Sequence, residues 1–180
     1  MRITAERSVG LIVDVQDRLL PHMIESDRVC NRISVLIEGL KTLAVPILLT
    51  EQYPRGLGQT VAPIRSCLPG VTPIEKITFS CCDEPRFMQL IDAGNRPWII
   101  IAGIESHICV LQTGVDLIER GFTPIVVADC VSSRTVMDAQ TATARMAAEG
   151  ILLTTCESIL FELCRQAGTE SFKTISRLLK

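Results

Sequence analysis

The sequence predicts an α/β protein: a six-stranded parallel sheet with helices packed on both faces. Three observations carry that expectation. The strand candidates are short runs that are apolar throughout rather than alternating, as strands buried on two faces are. Stretches with a helical period separate them. Gly, Pro and small polar residues punctuate the junctions. Segments alternating in this way build βαβ units with right-handed connections.

VGLIVDV (9–15) is the first strand, short and rich in β-branched residues. From Asp27 onward, Val29, Ile33, Leu36, Leu40 and Leu43 recur at steps of four and three, which is one face of a helix. VPILLT (45–50) is the second strand, and the Gly- and Pro-containing EQYPRGLGQT reads as a loop. TPIEKITF (72–79) is the third strand, 84–93 a short helix and PWIIIAGI (97–104) the fourth strand. Helix then runs to Arg120 and stops at Gly121, a residue type suited to the position after a helix. FTPIVVADC is the fifth strand. The helix over 136–149 begins with Thr135 and Asp138 three apart, a capping-box spacing, and ends at Gly150. ILLTT is the sixth strand, and the tail from Glu157 is helical with a break near Gly168.

With 180 residues, 47% of them apolar, residues 1–180 are read as one domain with a large core. Part of the apolar surface is expected between subunits of a homo-oligomer. No apolar run approaches the roughly 18 residues of a membrane span. MRITAERSVGLIVDV lacks the basic and apolar segments of a secretory leader, so a cytoplasmic setting is expected. The net charge of −2 and scattered basic residues argue against nucleic-acid or membrane-surface partners. The eight cysteines include no C-x-x-C pair, so free thiols are expected rather than a zinc or thioredoxin-type site. The adjacent Cys81 and Cys82 read better as partly buried thiols than as a vicinal disulfide.

In open parallel sheets, ligands bind beyond the carboxyl ends of the strands. Asp14 interrupts the first strand there, followed by Gln16 and Asp17; alone, it reads equally as a turn cap. Gly56 and Gly58 lack the third glycine and the helix of a dinucleotide fingerprint. Lys76, between Ile74 and Ile77, either snorkels to water or pairs with a carboxylate, and alone it favours the former. Asp129, near Ser132 and Ser133, reads as a residue that bonds loop backbone. Cys109 stands apart from the other thiols. With Ser106 as N-cap it falls in the first turn of a helix, where free N–H groups favour a thiolate and could hold an oxyanion. Cys156 is its nearest rival. A thiol nucleophile needs a proton acceptor. His107 is two residues away and points elsewhere on a helix, and His22 sits in a loop, so Asp14 supported by Lys76 is the better candidate.

VDVQ, EQYPRGLGQT, EKITFS, GIESHICVLQT and GFTPIVVADCVSSRT together resemble the isochorismatase-like cysteine hydrolase family, from about residue 9 to 158. The resemblance is greatest to its isochorismatase domain-containing subgroup. It implies a Rossmann-like three-layer α/β/α fold with a six-stranded parallel sheet. It also implies a triad of Asp14, Lys76 and Cys109, in which Cys109 attacks a carbonyl, Asp14 accepts its proton and Lys76 supports both. A cis peptide is implied at Ile104–Glu105, with the backbone N–H groups of Glu105 and Cys109 as an oxyanion hole. Gln16, Gln52, Tyr53 and Leu57 would line the substrate pocket. The segment TEQYPRG lacks the histidines that serve as metal ligands in the nicotinamidase branch, so neither metal nor other cofactor is expected. The cysteine implies acyl transfer, such as hydrolysis of a small molecule at an amide or related non-peptide C–N bond, through a thioester. Two other readings remain open: an oligomeric scaffold that keeps the pocket without turnover, and a thiol redox protein using Cys81 and Cys82.

Overall fold

The computed structural model describes residues 2–180. Six strands form one sheet: β1 (Ser8–Val13), β2 (Ile47–Gln52), β3 (Ile74–Lys76), β4 (Trp98–Ile104), β5 (Thr123–Ser132) and β6 (Leu152–Thr154). Every neighbouring pair is parallel, in the order β3-β2-β1-β4-β5-β6. This is the doubly wound order, in which the direction of winding reverses between β1 and β4. The crevice beyond the carboxyl ends of those two strands is where such a sheet receives a ligand.

The helices are α1 (Ser26–Thr42), α2 (Pro54–Leu57), α3 (Ala62–Cys67), α4 (Pro85–Gly94), α5 (Leu111–Glu119), α6 (Val136–Ala148), α7 (Cys156–Cys164) and α8 (Glu170–Leu178). Strand periodicity sorts the core into two clusters, one on each side of the sheet. Ile12, Leu49, Ile100, Ala102 and Val127 pack with Ile33, Leu36 and Leu40 of α1 and Ile159 and Leu160 of α7. Leu11, Val13, Ile99, Ile101 and Val126 pack with Phe87 of α4, Leu117 of α5 and Met146 of α6. Successive strand residues therefore face opposite helical layers, which is why β1 and β4 read as apolar throughout. Thr135 caps α6 by accepting from the Asp138 N–H, as its spacing predicts.

Three segments differ from their sequence reading. The third strand spans only Ile74–Lys76. Past it, the Lys76 ammonium donates to the carbonyls of Thr78 and Phe79, which curls the chain over its own lysine and leaves Ile77 and Phe79 exposed. Glu51 and Gln52 belong to β2, and the rest of the expected loop holds α2, which opens on Pro54; α3 follows it. Finally, β5 continues past Asp129 to Ser132, because a register shift between Ile101 and Gly103 of β4 lets the ladder resume at Val131 and Ser132.

Gly103 marks that shift. Its φ of +124° is open to glycine, and a Cβ there would meet the main chain of Val13. Gly103→Ala should therefore cost about 3 kcal/mol or more. Urea unfolding is the check, and a loss below about 1 kcal/mol would contradict this packing.

Candidate active site

Asp14 follows the last residue of β1 in a left-handed conformation, φ +52°, which aspartate tolerates better than most residues. Its side chain is fully buried, and each carboxylate oxygen has a partner. The Thr50 hydroxyl of β2 donates to Oδ1 at 2.7 Å. The Lys76 ammonium of β3 donates to Oδ2 at 2.6 Å. Lys76 is fully buried as well, so it is the ion-pair partner and not a snorkelling lysine. Burial opposes its charge, but the neighbouring Asp14 carboxylate outweighs that with help from smaller effects, and its pKa lies above the usual lysine value.

Register explains how β3 delivers that lysine. Gln52 and Lys76 are paired across β2 and β3. The Gln52 Oε1 accepts from Lys76 Nζ at 2.8 Å, while its Nε2 donates to the Ile77 carbonyl. Gln16 braces the same strand end. Its Oε1 accepts from the Gln52 N–H, and its Nε2 donates to the carbonyls of Gln52 and Gly58. Gln16 and Gln52 thus have their amides engaged by protein groups. Leu57 packs against the core, and Tyr53 is half-exposed. A cavity of about 490 Å³ beside Lys76 is lined by Tyr53, Arg55, Glu75, Ile77 and Thr78.

Cys109 arrives from β4. The Ile104–Glu105 peptide is cis. A single wide turn, Ser106–Val110, follows and leads into α5. The residue before this turn is Glu105, whose carbonyl accepts from the N–H groups of Ile108 and Val110. Ser106 is therefore not the N-cap. It lies inside the turn, and its Oγ is the only buried side-chain oxygen or nitrogen without a partner among the described residues. The Glu105 carboxylate is held by both Nε and Nη2 of Arg134, at 2.9 and 3.1 Å.

The Cys109 thiol is buried, close enough to Asp14 and Lys76 to feel both charges. Its pKa moves upward, against the expectation from a helix start. Burial is the largest cause and the Asp14 charge the next, with Lys76 opposing them. The resting group is a neutral thiol near a carboxylate. His107 is engaged elsewhere; its Nδ1 lies 3.0 Å from Ser133 Oγ. His22 is exposed on a short turn. Asp129 bonds backbone as expected, though it is the Cys156 N–H of α7, and it also pairs with Arg32.

Sequence reasoning missed Thr50 and Arg134, and read Cys81 only as a partly buried thiol or a redox partner of Cys82. Thr50 is a polar residue in the second strand run and could have been noticed. Cys81 is fully buried, and its N–H donates to the Thr113 hydroxyl at 3.0 Å. Burial raises its pKa to about 11. No sequence signal marks Arg134. No three His, Cys, Asp or Glu side chains stand together as metal ligands among the described residues, and no helix is long and apolar enough to cross a membrane.

Residues 8–158 match the isochorismatase domain. Isochorismatase domain-containing protein 2 of Danio rerio is 35% identical over 178 residues, covering 99% of this chain and 89% of the relative. Among solved structures, the MAR1 ribonuclease of Caenorhabditis elegans has a TM-score of 0.93 at 34% identity, covering 99% of this chain and 92% of that one. The YcaC gene product of Escherichia coli, an octameric hydrolase of unknown specificity, has a TM-score of 0.92 at 26% identity, covering 99% and 90%.

Two predictions follow from the charges. Replacing Asp14 by Asn removes the anion beside Cys109 and should speed its alkylation near pH 8 by roughly tenfold or more, whereas Lys76→Met should slow it. Site-resolved mass spectrometry with iodoacetamide reads both rates, and shifts in the opposite sense would overturn the assignment. Burial also raises the thiols of Cys81 to about 11 and Cys82 to about 12, from an ordinary value of 9.0. Above pH 9 the unfolded chain loses those protons while the folded chain keeps them. Stability under reducing conditions should then fall from about pH 9 towards 11, by about 3 kcal/mol per pH unit for the two thiols. Urea midpoints that stay level across that window would contradict the burial of both.

Proposed function

The chain belongs to the isochorismatase family and has its hydrolase fold, and from that premise we propose that it is a metal-independent cysteine hydrolase of small amide-like molecules. One observation carries the reading: the fully buried Asp14–Lys76 ion pair acts on the buried Cys109 thiol, the Asp14 charge opposing its ionisation and the Lys76 charge favouring it. Such a carboxylate can take a proton from one neighbour while its charge is stabilised by the other.

In this reading Cys109 Sγ attacks the substrate carbonyl carbon as its proton passes to Asp14. The carbonyl oxygen becomes an oxyanion, held by the N–H groups of Glu105 and Cys109. The C–N bond breaks as Asp14 returns the proton to the leaving nitrogen, and a thioester remains on Cys109. Asp14 then removes a proton from water, which attacks the thioester and releases the acid and the thiol. Lys76 Nζ, 2.6 Å from Asp14 Oδ2, holds the carboxylate in place through these steps. Because the resting thiol is neutral, proton transfer accompanies attack and does not precede it.

Tyr53 lines the cavity with Arg55 and Thr78, which supports a role for it in contacting substrate. Gln16 and Gln52 act on substrate indirectly, by fixing Lys76 and the loop. The octameric Escherichia coli relative supports a homo-oligomer. The ribonuclease activity named for the worm relative is less suited to a chain of net charge −2. A non-catalytic scaffold remains the competing reading.

The test is a panel of amides, carbamates and ureides, with RNA included. Turnover of one small-molecule class is expected, with a drop of about 10⁴-fold or more in Cys109→Ala and an acyl adduct on Cys109 by intact mass. Turnover that survives Cys109→Ala would refute the nucleophile. A panel with no substrate and no adduct would favour the scaffold.

A further inference from the structure

Glu105 joins β4 to the turn that carries Cys109, and its polar groups are held unequally. Its carbonyl accepts from the N–H groups of Ile108 and Val110 at 3.1 and 3.2 Å. Its carboxylate, only 6% accessible, takes its hydrogen bonds from Arg134, with Nε on Oε2 at 2.9 Å and Nη2 on Oε1 at 3.1 Å. Its N–H has no protein acceptor among the described residues. Glu105 is thus fixed through its side chain and its carbonyl, and has one donor to spare beside the turn of the thiol.

Arg134 is itself anchored on both sides. Ser133, fully buried, accepts from the Ile24 N–H through its carbonyl, and its Oγ lies 3.0 Å from His107 Nδ1. Thr135 caps α6. The guanidinium therefore starts from a fixed piece of main chain and reaches back 29 positions to the carboxylate. Its planar fork matches the two oxygens, so it sets the plane of the carboxylate as well as its distance. The Arg134 side chain is 57% accessible, so truncating it opens no cavity in the core.

We propose that Arg134 is a positioning residue for the reaction of Cys109: its two-point grip on the Glu105 carboxylate holds the Glu105 N–H in place as an oxyanion donor and neutralises an anion that would oppose the oxyanion. The inference rests on the hydrolase reading above, in which that N–H is one of two donors. Arg134 acts through Glu105 and not on the substrate. The grip matters because a donor displaced by about 1 Å can cost about 10²-fold in rate. A lysine in its place would keep the charge and lose the fork.

The experiment compares two reactions of one sulfur in the native chain, both followed at Cys109 by site-resolved mass spectrometry. With p-nitrophenyl acetate, Sγ bonds the carbonyl carbon, the thiol proton passes to Asp14, and an oxyanion forms before the ester C–O bond breaks and p-nitrophenolate leaves. With iodoacetamide, an S–C bond forms, the C–I bond breaks and iodide leaves, with no oxyanion. Both depend on the same thiol, so the ratio of their rates reports the oxyanion donors. Arg134→Ala should slow acylation by about tenfold or more while alkylation changes by less than about threefold, and Arg134→Lys should fall between. In a Glu105→Gln background, where the grip is already lost, Arg134→Ala should slow acylation by less than about twofold. Equal effects on both reactions, unchanged acylation in Arg134→Ala, or a full loss persisting in the Glu105→Gln background would overturn the inference and leave Cys109 as the nucleophile. A native Cys109 that is alkylated but never acylated would refute the hydrolase reading, and this inference with it.

Discussion

Two opposite charges, Asp14 and Lys76, lie 2.6 Å apart with no exposed side-chain surface, and much of the molecule is arranged to permit this. Removing each ion from water costs several kcal/mol, which their attraction offsets only when the remaining donors and acceptors are also satisfied. Here they are: Thr50 covers the second oxygen of Asp14, while Gln52 and two carbonyls share the ammonium. The condition binds three neighbouring strands to one register. Asp14 follows β1, Thr50 and Gln52 come from β2, and Lys76 ends β3. A one-residue slip of β3 would turn the lysine to the opposite face and leave a carboxylate alone in the core.

Cys109 feels the charge of the same carboxylate, and its ionisation shows which local force wins. A turn preceding a helix supplies partial positive charge worth at most about 2 kcal/mol. Loss of water and a full negative charge nearby work the other way and are stronger. The site therefore stores its proton on sulfur, beside the group placed to receive it.

The six strands and the main helices were legible because apolar runs and 3.6-residue spacing are properties of the chain itself. Asp14, Lys76 and Cys109 were legible because each is a polar or reactive residue at a strand's carboxyl end. What stayed hidden depends on contacts between distant segments. Arg134 grips Glu105 from 29 positions away. The truncation of β3 was unreadable because TPIEKITF has ample strand character; the lysine's search for carbonyl partners ends the strand early. Ser106 looked like a cap by residue type, but the turn that follows is wider than an ordinary helical one, and Glu105 takes the cap position.

The paired glutamines have a consequence for how this surface can vary. Gln16 grips main-chain atoms at both ends of the segment from Gln52 to Gly58, and Gln16 also bridges to Thr60. The path of the segment is thus set from beneath, by atoms that every amino acid possesses. The side chain of Arg55 takes no part in that attachment. Its identity can be exchanged by mutation while the frame below stays fixed, so one scaffold can present a succession of different recognition surfaces beside an unchanged charged cluster.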